Sequence, residues 1–227
     1  MGINFRIYAS ELMAIAYEAH KYPNREVGGD LYGLWNANGS PVVFLATGPG
    51  KKYKGYCTTY EMDVEYMQAC EKYLMANFGI QYLGDWHSHH MLNLDKPSIG
   101  DRERIYKLMD KNKIGNMAEI IVTHLSDSLY SEKINSFVYV RNNMYCGNTI
   151  LLNEQSSPVR ELLLKSLDEN RLFNLGDGYL EINKVAINVN DSITEGKSNE
   201  VAIIDTAHHD KFSEPVISSE TPLRLKL

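Results

Sequence analysis

Cysteine is scarce in this sequence. The 227 residues include three cysteines, Cys57, Cys70 and Cys146, which are odd in number and far apart. A disulfide framework needs paired cysteines and a Cys-x-x-Cys metal knuckle needs close ones, so the sequence predicts neither. Reduced thiols in a cytoplasmic protein are the simplest interpretation.

Targeting and membrane signals are also missing. The first residues lack the basic segment and the following apolar segment of a signal peptide, and no apolar run approaches the length of a membrane span. Arg6 stands where an N-myristoylation motif requires Ser or Thr. We therefore expect a soluble protein without a membrane partner.

Positive charge is neither abundant nor clustered. The net charge is −6 and no block of Lys or Arg is present, so nucleic-acid binding is disfavoured. The 44% of hydrophobic and 23% of charged residues are typical of a folded protein. The length allows one large domain, or one domain with an extension.

Apolar periodicity and turn residues divide the first two thirds of the chain into mixed strands and helices. Strands are predicted at 3–7, 24–35, 41–47, 53–58, 80–87, 117–123, 135–141 and 145–152. Helices are predicted at 10–20, 61–78 and 98–112. Strands and helices alternate and hairpins are frequent, so the sequence predicts an α/β or α+β fold with helices on both sides of the sheet.

The character of the sequence changes after residue 153. A helix is predicted from about 156 to 170, with Leu162, Leu163 and Leu167 available to dock it on the core. Short strand-like runs at 180–189 and 200–204 and a loose tail follow. We therefore divide the chain into a domain at 1–153 and a C-terminal extension at 154–227.

The segment 84–101 carries the strongest chemical signal. His87 and His89 are one residue apart at the end of a predicted strand, so both side chains point to one face while Ser88 points away. Neutral imidazoles together with a carboxylate suit Zn²⁺, and catalytic zinc sites combine three such ligands with an open fourth position. The pair therefore predicts a site for one zinc ion.

The third ligand is predicted at the start of the next helix. Ser98 is the expected N-cap and Asp101 lies in the first turn, where the helix dipole favours a carboxylate. Glu103, two residues on, is the reserve ligand. The alternative without a metal is a half-buried histidine pair beside an ordinary capping box.

Three separated motifs together resemble the JAB/MPN metalloprotease family. They are Glu26 before a Gly-Gly pair, the His87-Ser88-His89 motif, and a Ser-x-x-Asp motif from Ser98 to Asp101. The resemblance covers roughly residues 3–150 and is greatest to prokaryotic members encoded beside ubiquitin-like proteins and E1- and E2-like enzymes, some in antiphage operons. His90 departs from the Pro of many relatives, and the loop before Ser98 is about one residue longer than in eukaryotic members.

The resemblance implies a fold, a cofactor and a mechanism. The fold would be the cytidine-deaminase-like MPN/JAB sheet flanked by helices. One zinc ion held by His87, His89 and Asp101 would acidify water and polarise the scissile carbonyl. Glu26 would be the general base and Ser98 would donate a hydrogen bond to the oxyanion. From the residues alone, an exposed strand-edge acid is the more common interpretation of Glu26, and Ser98 could serve only as a cap.

The implied function is a zinc-dependent isopeptidase or peptidase that hydrolyses the amide bond after the C-terminus of a ubiquitin-like protein. E1- and E2-like enzymes are further expected partners. The peptidase would act in deconjugation or in precursor processing, in an antiphage pathway. Alternatives are processing of a ubiquitin-fold sulfur carrier and a noncatalytic MPN scaffold. A scaffold is disfavoured because the metal ligands and catalytic residues are all present, and a DNA-repair protein is disfavoured by the acidic charge balance.

Several nearby residues receive secondary interpretations. Asp85 and Trp86 are expected to pack around the site, and Asp85 is a candidate to orient a ligand histidine. His90 and Asp95 either contact substrate or belong to a solvated loop. Two further histidine positions are not assigned to a metal: His124 at a strand end, and the His208-His209 pair in the tail.

Overall fold

Seven strands close into a barrel in the computed structural model, which describes residues 3–89, 93–124, 131–152, 156–168 and 225–226. The strands are β1 (Ile3–Ile7), β2 (Gly28–Trp35), β3 (Pro41–Ala46), β4 (Lys54–Gly55), β5 (Tyr60–Glu61), β6 (Gln81–Ser88), β7 (Asn116–His124), β8 (Ser131–Val140), β9 (Asn143–Leu151) and β10 (Leu225–Lys226). The helices are α1 (Ala9–His20), α2 (Val64–Phe78), α3 (Ile99–Asn112) and α4 (Pro158–Asp168).

The sheet mixes parallel and antiparallel pairs. Its order is β10-β8-β7-β6-β2-β3-β1-β9, and β9 pairs back onto β8 to close the seven-stranded barrel, while β10 adds to the other end of β8. The parallel pairs are β1–β3, β1–β9 and β6–β7. The predicted mixed α+β class is confirmed, whereas closure of the sheet was not predicted.

Helix α1 packs inside the curved sheet, and α2 and α3 pack outside it. The apolar periodicity predicts a buried face of α1 at Leu12, Ile15, Ala16 and Ala19. This face is fully buried, and it joins core positions from six strands of the barrel. The sequence also predicts Ser10 as the N-cap of α1, and this prediction is wrong, since the N-cap is Tyr8. The Ser10 hydroxyl is instead turned towards buried Glu11, to which it donates a hydrogen bond at 2.7 Å.

Helix α2 begins and ends near the predicted positions. The apolar periodicity predicts a buried face at Met62, Tyr66, Ala69, Tyr73 and Ala76, and the face that is buried is rotated from it. Asp63 caps the helix through the Tyr66 amide, and Gly79 ends it in the left-handed conformation. Its buried residues are Tyr66, Met67, Cys70 and Leu74. The strand predicted at 53–58 is replaced by β4 and β5, which form a separate two-stranded sheet before α2.

Helix α4, in the predicted extension, belongs to the same core as the barrel. Val159 and Leu163 are buried beside α2, whereas Leu162 is 54% exposed. The Ser157 amide donates a hydrogen bond to Ser10 Oγ at 2.9 Å. The Leu167 side chain, the strand-like runs at 180–189 and 200–204 and the His208-His209 pair lie outside the described residues. Among the helices that the structure describes, none is both long and apolar enough to cross a membrane.

Candidate metal centre

Strand β6 brings the predicted histidine pair to the outer face of the sheet. A register shift between β2 and β6 leaves Leu83 as an extra residue, and Gly84 follows it with φ of 152°. A Cβ on Gly84 would lie 1.8 Å from the Ala118 carbonyl oxygen, so only glycine allows β6 and β7 to approach this closely. After this point His87 and His89 share one face, and both are almost completely buried.

Helix α3 brings the carboxylate to the same point. Ser98 and Asp101 form a complete capping box, in which the Asp101 amide donates to Ser98 Oγ at 3.2 Å and the Ser98 amide donates to Asp101 Oδ2 at 2.7 Å. The predicted N-cap is confirmed. This cap fixes the Asp101 side chain at the helix start, where it faces both histidines.

Three side chains from the end of β6 and the start of α3 converge. The Nε2 atoms of His87 and His89 are 3.0 Å apart, and they lie 3.5 Å and 3.4 Å from the two carboxylate oxygens of Asp101. Two ligands bound ~2.1 Å from a tetrahedral zinc ion lie ~3.4 Å from each other. Two imidazoles and one carboxylate at these separations therefore fit a single Zn²⁺ ion in both chemistry and spacing.

The two histidines differ in how their other ring nitrogen is held. His89 Nδ1 lies 2.9 Å from the Leu94 carbonyl oxygen, which selects the tautomer with the proton on Nδ1 and a lone pair on Nε2. His87 Nδ1 is buried without a hydrogen-bond partner among the described residues. Among the described residues, a hydrogen bond at Nδ1 therefore fixes the ring of His89 but not that of His87.

Electrostatics favour charged Asp101 beside neutral His87. Burial raises the pKa of Asp101, but its contacts with the two imidazoles outweigh burial and hold this pKa well below its usual range. Burial lowers the pKa of His87 and Asp101 only partly offsets this. For His89 burial again lowers the pKa, but Asp101 and the Leu94 carbonyl outweigh it and raise the pKa.

Glu26 lies next to this group although it precedes β2 and is 61 residues from His87 in sequence. Its side chain is 5% exposed, so it is not the exposed strand-edge acid that the sequence also allowed. Its backbone is held by the segment around β4: the Glu26 amide donates to the Tyr56 carbonyl at 2.8 Å, and the Tyr53 hydroxyl donates to the Glu26 carbonyl at 2.7 Å. Burial raises the pKa of Glu26 to about 7, with His89 lowering it and Asp101 raising it.

A second row of buried polar groups lies beneath the histidines. Arg104 on α3 makes a two-pronged contact with Asp85, at 2.5 Å and 3.2 Å. Glu119 on β7 is the register partner of Asp85 and is fully buried, with Oε1 3.8 Å from His87 Nδ1. The Tyr139 hydroxyl donates to Glu119 Oε2 at 2.5 Å.

Sequence reasoning did not identify Glu119 or Arg104. A usable signal existed for Glu119, because it interrupts the otherwise apolar run 117–122 and a charged residue inside a buried strand needs a partner. For Arg104 the signal was its position one helical turn after Asp101, on the same face of α3. Neither signal by itself named the partner.

The remaining predicted residues are dispersed. Glu103, the reserve ligand, points outward to Lys107 at 3.6 Å. Trp86 is buried on the opposite face of the sheet and donates to the Thr47 carbonyl at 2.9 Å. Asp95 lies 3.8 Å from Lys133. His90 and the side chain of His124 lie outside the described residues.

Comparison with known proteins supports the fold. No protein-family model matches the sequence, and no curated protein matches it. The chain is similar in structure to protein DSY2949 from Desulfitobacterium hafniense, which was solved in solution. The TM-score is 0.53 at 17% sequence identity, and the match covers 66% of this chain and 94% of that chain. At this identity the likeness concerns the fold alone.

Proposed function

We propose that this chain is a zinc-dependent isopeptidase of the JAB/MPN type, acting after the C-terminus of a ubiquitin-like protein. The observation that carries the proposal is the convergence of His87, His89 and Asp101 within 3.5 Å, with buried Glu26 beside them. Capping requires only the contacts of Asp101 with Ser98, so it does not by itself explain two imidazole nitrogens at this distance. The three elements that meet here carry the three motifs on which the family resemblance rests.

The ligands of the ion are assigned by atom. His87 and His89 would bind through Nε2 and Asp101 through its carboxylate. Zn²⁺ bound there would supply Lewis-acid polarisation of a peptide carbonyl and acidification of water. His87, His89 and Glu26 are all buried, which lowers the local dielectric constant and strengthens these interactions.

Glu26 is assigned the proton transfer. A pKa of about 7 suits a general base near neutral pH, because the carboxylate is present in quantity and still basic enough to accept a proton. A divalent cation beside it would lower this pKa and increase the ionised fraction. Glu26 accepts the proton of the attacking water on its carboxylate and passes it to the nitrogen of the leaving amine.

Ser98 is assigned to the oxyanion. Its Oγ accepts a hydrogen bond from the Asp101 amide, so the position of the oxygen is fixed while its O–H remains a donor. A donor held next to the ligand Asp101 stabilises negative charge that develops on the carbonyl oxygen. The capping and catalytic roles of Ser98 are therefore compatible.

The small β4–β5 sheet offers a place for an extended substrate. It lies against Glu26 through Tyr53 and Tyr56, and each of its strands pairs only with the other among the described residues. An extended, Gly-Gly-terminated tail can add to such a free edge through main-chain hydrogen bonds. This supports a ubiquitin-like tail as the substrate, with its last carbonyl delivered to the metal.

The test combines metal analysis with cleavage. The purified protein should contain one zinc per chain and should cleave a Gly-Gly-terminated ubiquitin-fold protein from an amide-linked reporter, and a chelator should abolish cleavage. Glu26→Gln should reduce the cleavage rate by ~10²–10⁴-fold while zinc content remains one, because it removes the base and no ligand. Glu103→Gln, on the outward face of α3, is the matched control and should cleave normally.

Two results would contradict the proposal. Absence of zinc from wild-type protein after purification and reconstitution would overturn the metal centre. Full cleavage by Glu26→Gln with zinc bound would overturn the general base. His87→Ala checks the ligand set, since it should reduce zinc content from one per chain to near zero.

A further inference from the structure

Two buried polar atoms without hydrogen-bond partners face each other beneath the metal centre. They are Nδ1 of His87 and Oε1 of Glu119, which lie 3.8 Å apart. Both side chains are at most 1% exposed, so water in the surrounding solvent does not satisfy them. A buried polar atom left unpaired costs about 1–3 kcal/mol, and two complementary ones at this separation call for an explanation.

We infer that Glu119 is a positioning residue that accepts a hydrogen bond from Nδ1–H of His87 and thereby aims the Nε2 lone pair of His87 at the metal. The inference rests on the metal site of the proposed function. A hydrogen bond requires the ring and the carboxylate to approach by less than ~1 Å, and the gap is too narrow for an intervening water. Metal-bound imidazoles usually donate their other N–H to such a carboxylate.

The position of Glu119 is itself fixed from two sides. The Tyr139 hydroxyl donates to Oε2 at 2.5 Å, and Arg104 Nη2 lies 3.8 Å from Oε1. Oε1 therefore stays directed at His87. His89 reaches the same tautomer through the Leu94 carbonyl, so each ligand histidine has its own acceptor.

Asp85, which the sequence suggested as the residue that orients a ligand histidine, already has hydrogen-bond partners. Both of its carboxylate oxygens accept hydrogen bonds from Arg104. Glu119 has one oxygen without a hydrogen bond, and that oxygen is the one facing His87. Glu119 is therefore the residue that can orient His87. The paired Asp85 and Arg104 lie next to Glu119 and support its position.

The charges of this cluster point the same way. The cluster has three carboxylates, Asp85, Asp101 and Glu119, and Arg104 contacts Asp85 and Glu119; among the residues that the structure describes, no second guanidinium lies against them. Apart from Glu26, the group is short of two positive charges when all its acids are ionised. One divalent cation at the histidines would balance that charge.

Zinc affinity is the measurement that tests the inference, by competition with a chromophoric chelator. Glu119→Ala should weaken zinc binding by ~10–100-fold. Glu119→Gln should lie between that variant and wild type, because the amide oxygen still accepts from Nδ1–H. Glu11→Gln is the matched control: it alters another fully buried glutamate, far along the chain from the site, and should lower stability without changing zinc affinity.

A spectroscopic readout separates orientation from general loss of structure. In zinc-loaded wild-type protein, the Nδ1–H of His87 should give a slowly exchanging, downfield signal in ¹H–¹⁵N spectra, and this signal should disappear in Glu119→Ala. Tyr139→Phe removes only the support of Glu119, so it should weaken zinc binding less than Glu119→Ala does.

The outcomes are distinguishable. If the wild type binds zinc and both Glu119 variants bind it with the same affinity, the positioning role is overturned and the proposed function remains intact. A wild type that binds no zinc overturns the proposed function and this inference with it. Two zinc ions per wild-type chain would show that Asp85, His87 and Glu119 form a second metal site, and would also overturn the positioning role.

Discussion

Two buried groups in this molecule each pair an arginine with a carboxylate, but they differ in whether every polar atom has a partner. In the first, Arg160 on α4 contacts Glu11 on α1 at 2.8 Å and 2.6 Å, and both side chains are almost completely buried. Glu11 also accepts from the Ser10 hydroxyl at 2.7 Å and from the Ala46 amide at 2.8 Å. Both oxygens of Glu11 are fully used, so this group is complete without any ligand.

The second group, around Arg104, is incomplete. Arg104 satisfies Asp85, but Glu119 Oε1 and His87 Nδ1 have no hydrogen-bond partner in the part of the chain that the structure describes. The first group is one cation with one anion, whereas the second has more carboxylates than cations. The complete group needs no ligand, whereas the unpaired atoms of the second group lie beside His89 and Asp101, where we propose that a metal ion binds.

Breaking the complete group should give the largest change in stability. Arg160→Met leaves Glu11 buried and unpaired, which should lower the free energy of unfolding by ~3–5 kcal/mol. Urea denaturation measures this loss. Zinc content per folded molecule should remain one, because no ligand is touched.

A matched control for this prediction is Lys107→Met, which breaks an exposed pair with Glu103 and should leave stability nearly unchanged. Loss of zinc from folded Arg160→Met protein would contradict the separation of the two groups. So would a stability loss no larger than that of the control.

At the incomplete group, the largest effect should fall on the metal. Asp101→Asn keeps an oxygen that can accept from the Ser98 amide, so α3 should stay capped, but it replaces a charged ligand by a neutral one. Zinc affinity should fall by more than ~100-fold with little change in thermal stability. Isothermal titration and thermal unfolding on the same sample check both parts.

Ser98→Ala should have the opposite effects, with reduced stability and unchanged zinc content. It should cost ~1 kcal/mol of stability through the lost cap. It should leave zinc content at one, and reduce cleavage by ~10²–10³-fold through the lost oxyanion donor. Zinc loss in Ser98→Ala, or retained affinity in Asp101→Asn, would contradict the division of roles between cap and ligand.

The last prediction concerns Asp30, which is the register partner of Asp85 on the neighbouring strand and extends the series of buried acids across the sheet. The Tyr32 hydroxyl lies 2.8 Å from Asp30 Oδ2 and 3.0 Å from the Met67 carbonyl, yet it has one proton to donate. A protonated Asp30 resolves this, since it donates to Tyr32 and Tyr32 donates to Met67. Burial raises the pKa of Asp30 to about 8, with Tyr32 lowering it and Asp85 raising it.

The pH dependence follows from this direction. The folded state holds a proton that the unfolded state releases near pH 4, so wild-type stability falls as the pH rises from about 4 to about 8. Asp30→Asn lacks this group. As the pH rises from 5 to 9, the free energy of unfolding of the variant should therefore increase by more than ~1 kcal/mol relative to that of wild type. A difference in unfolding free energy that does not change with pH would show that Asp30 is ionised in the fold.

Much of the candidate site follows from the sequence because its parts are local. Alternation along a strand places His87 and His89 on one face, and a Ser-x-x-Asp pattern caps a helix, whatever the rest of the chain does. Most strands, though not the one predicted at 53–58, and most helix ends were predicted for the same reason. Errors occurred where distant contacts outweigh local pattern, as at the rotated face of α2 and at the N-cap of α1.

The sequence by itself determined which residues could bind a metal, since side-chain chemistry and short-range spacing are properties of neighbouring residues. The tertiary structure alone decided which distant groups meet them: Glu26 from before β2, Glu119 from β7 and Arg104 from α3. It also decided the closure of the barrel and the docking of α4 through Arg160. These contacts depend on strand order and register, because each joins segments whose separation along the chain carries no information about their distance in space.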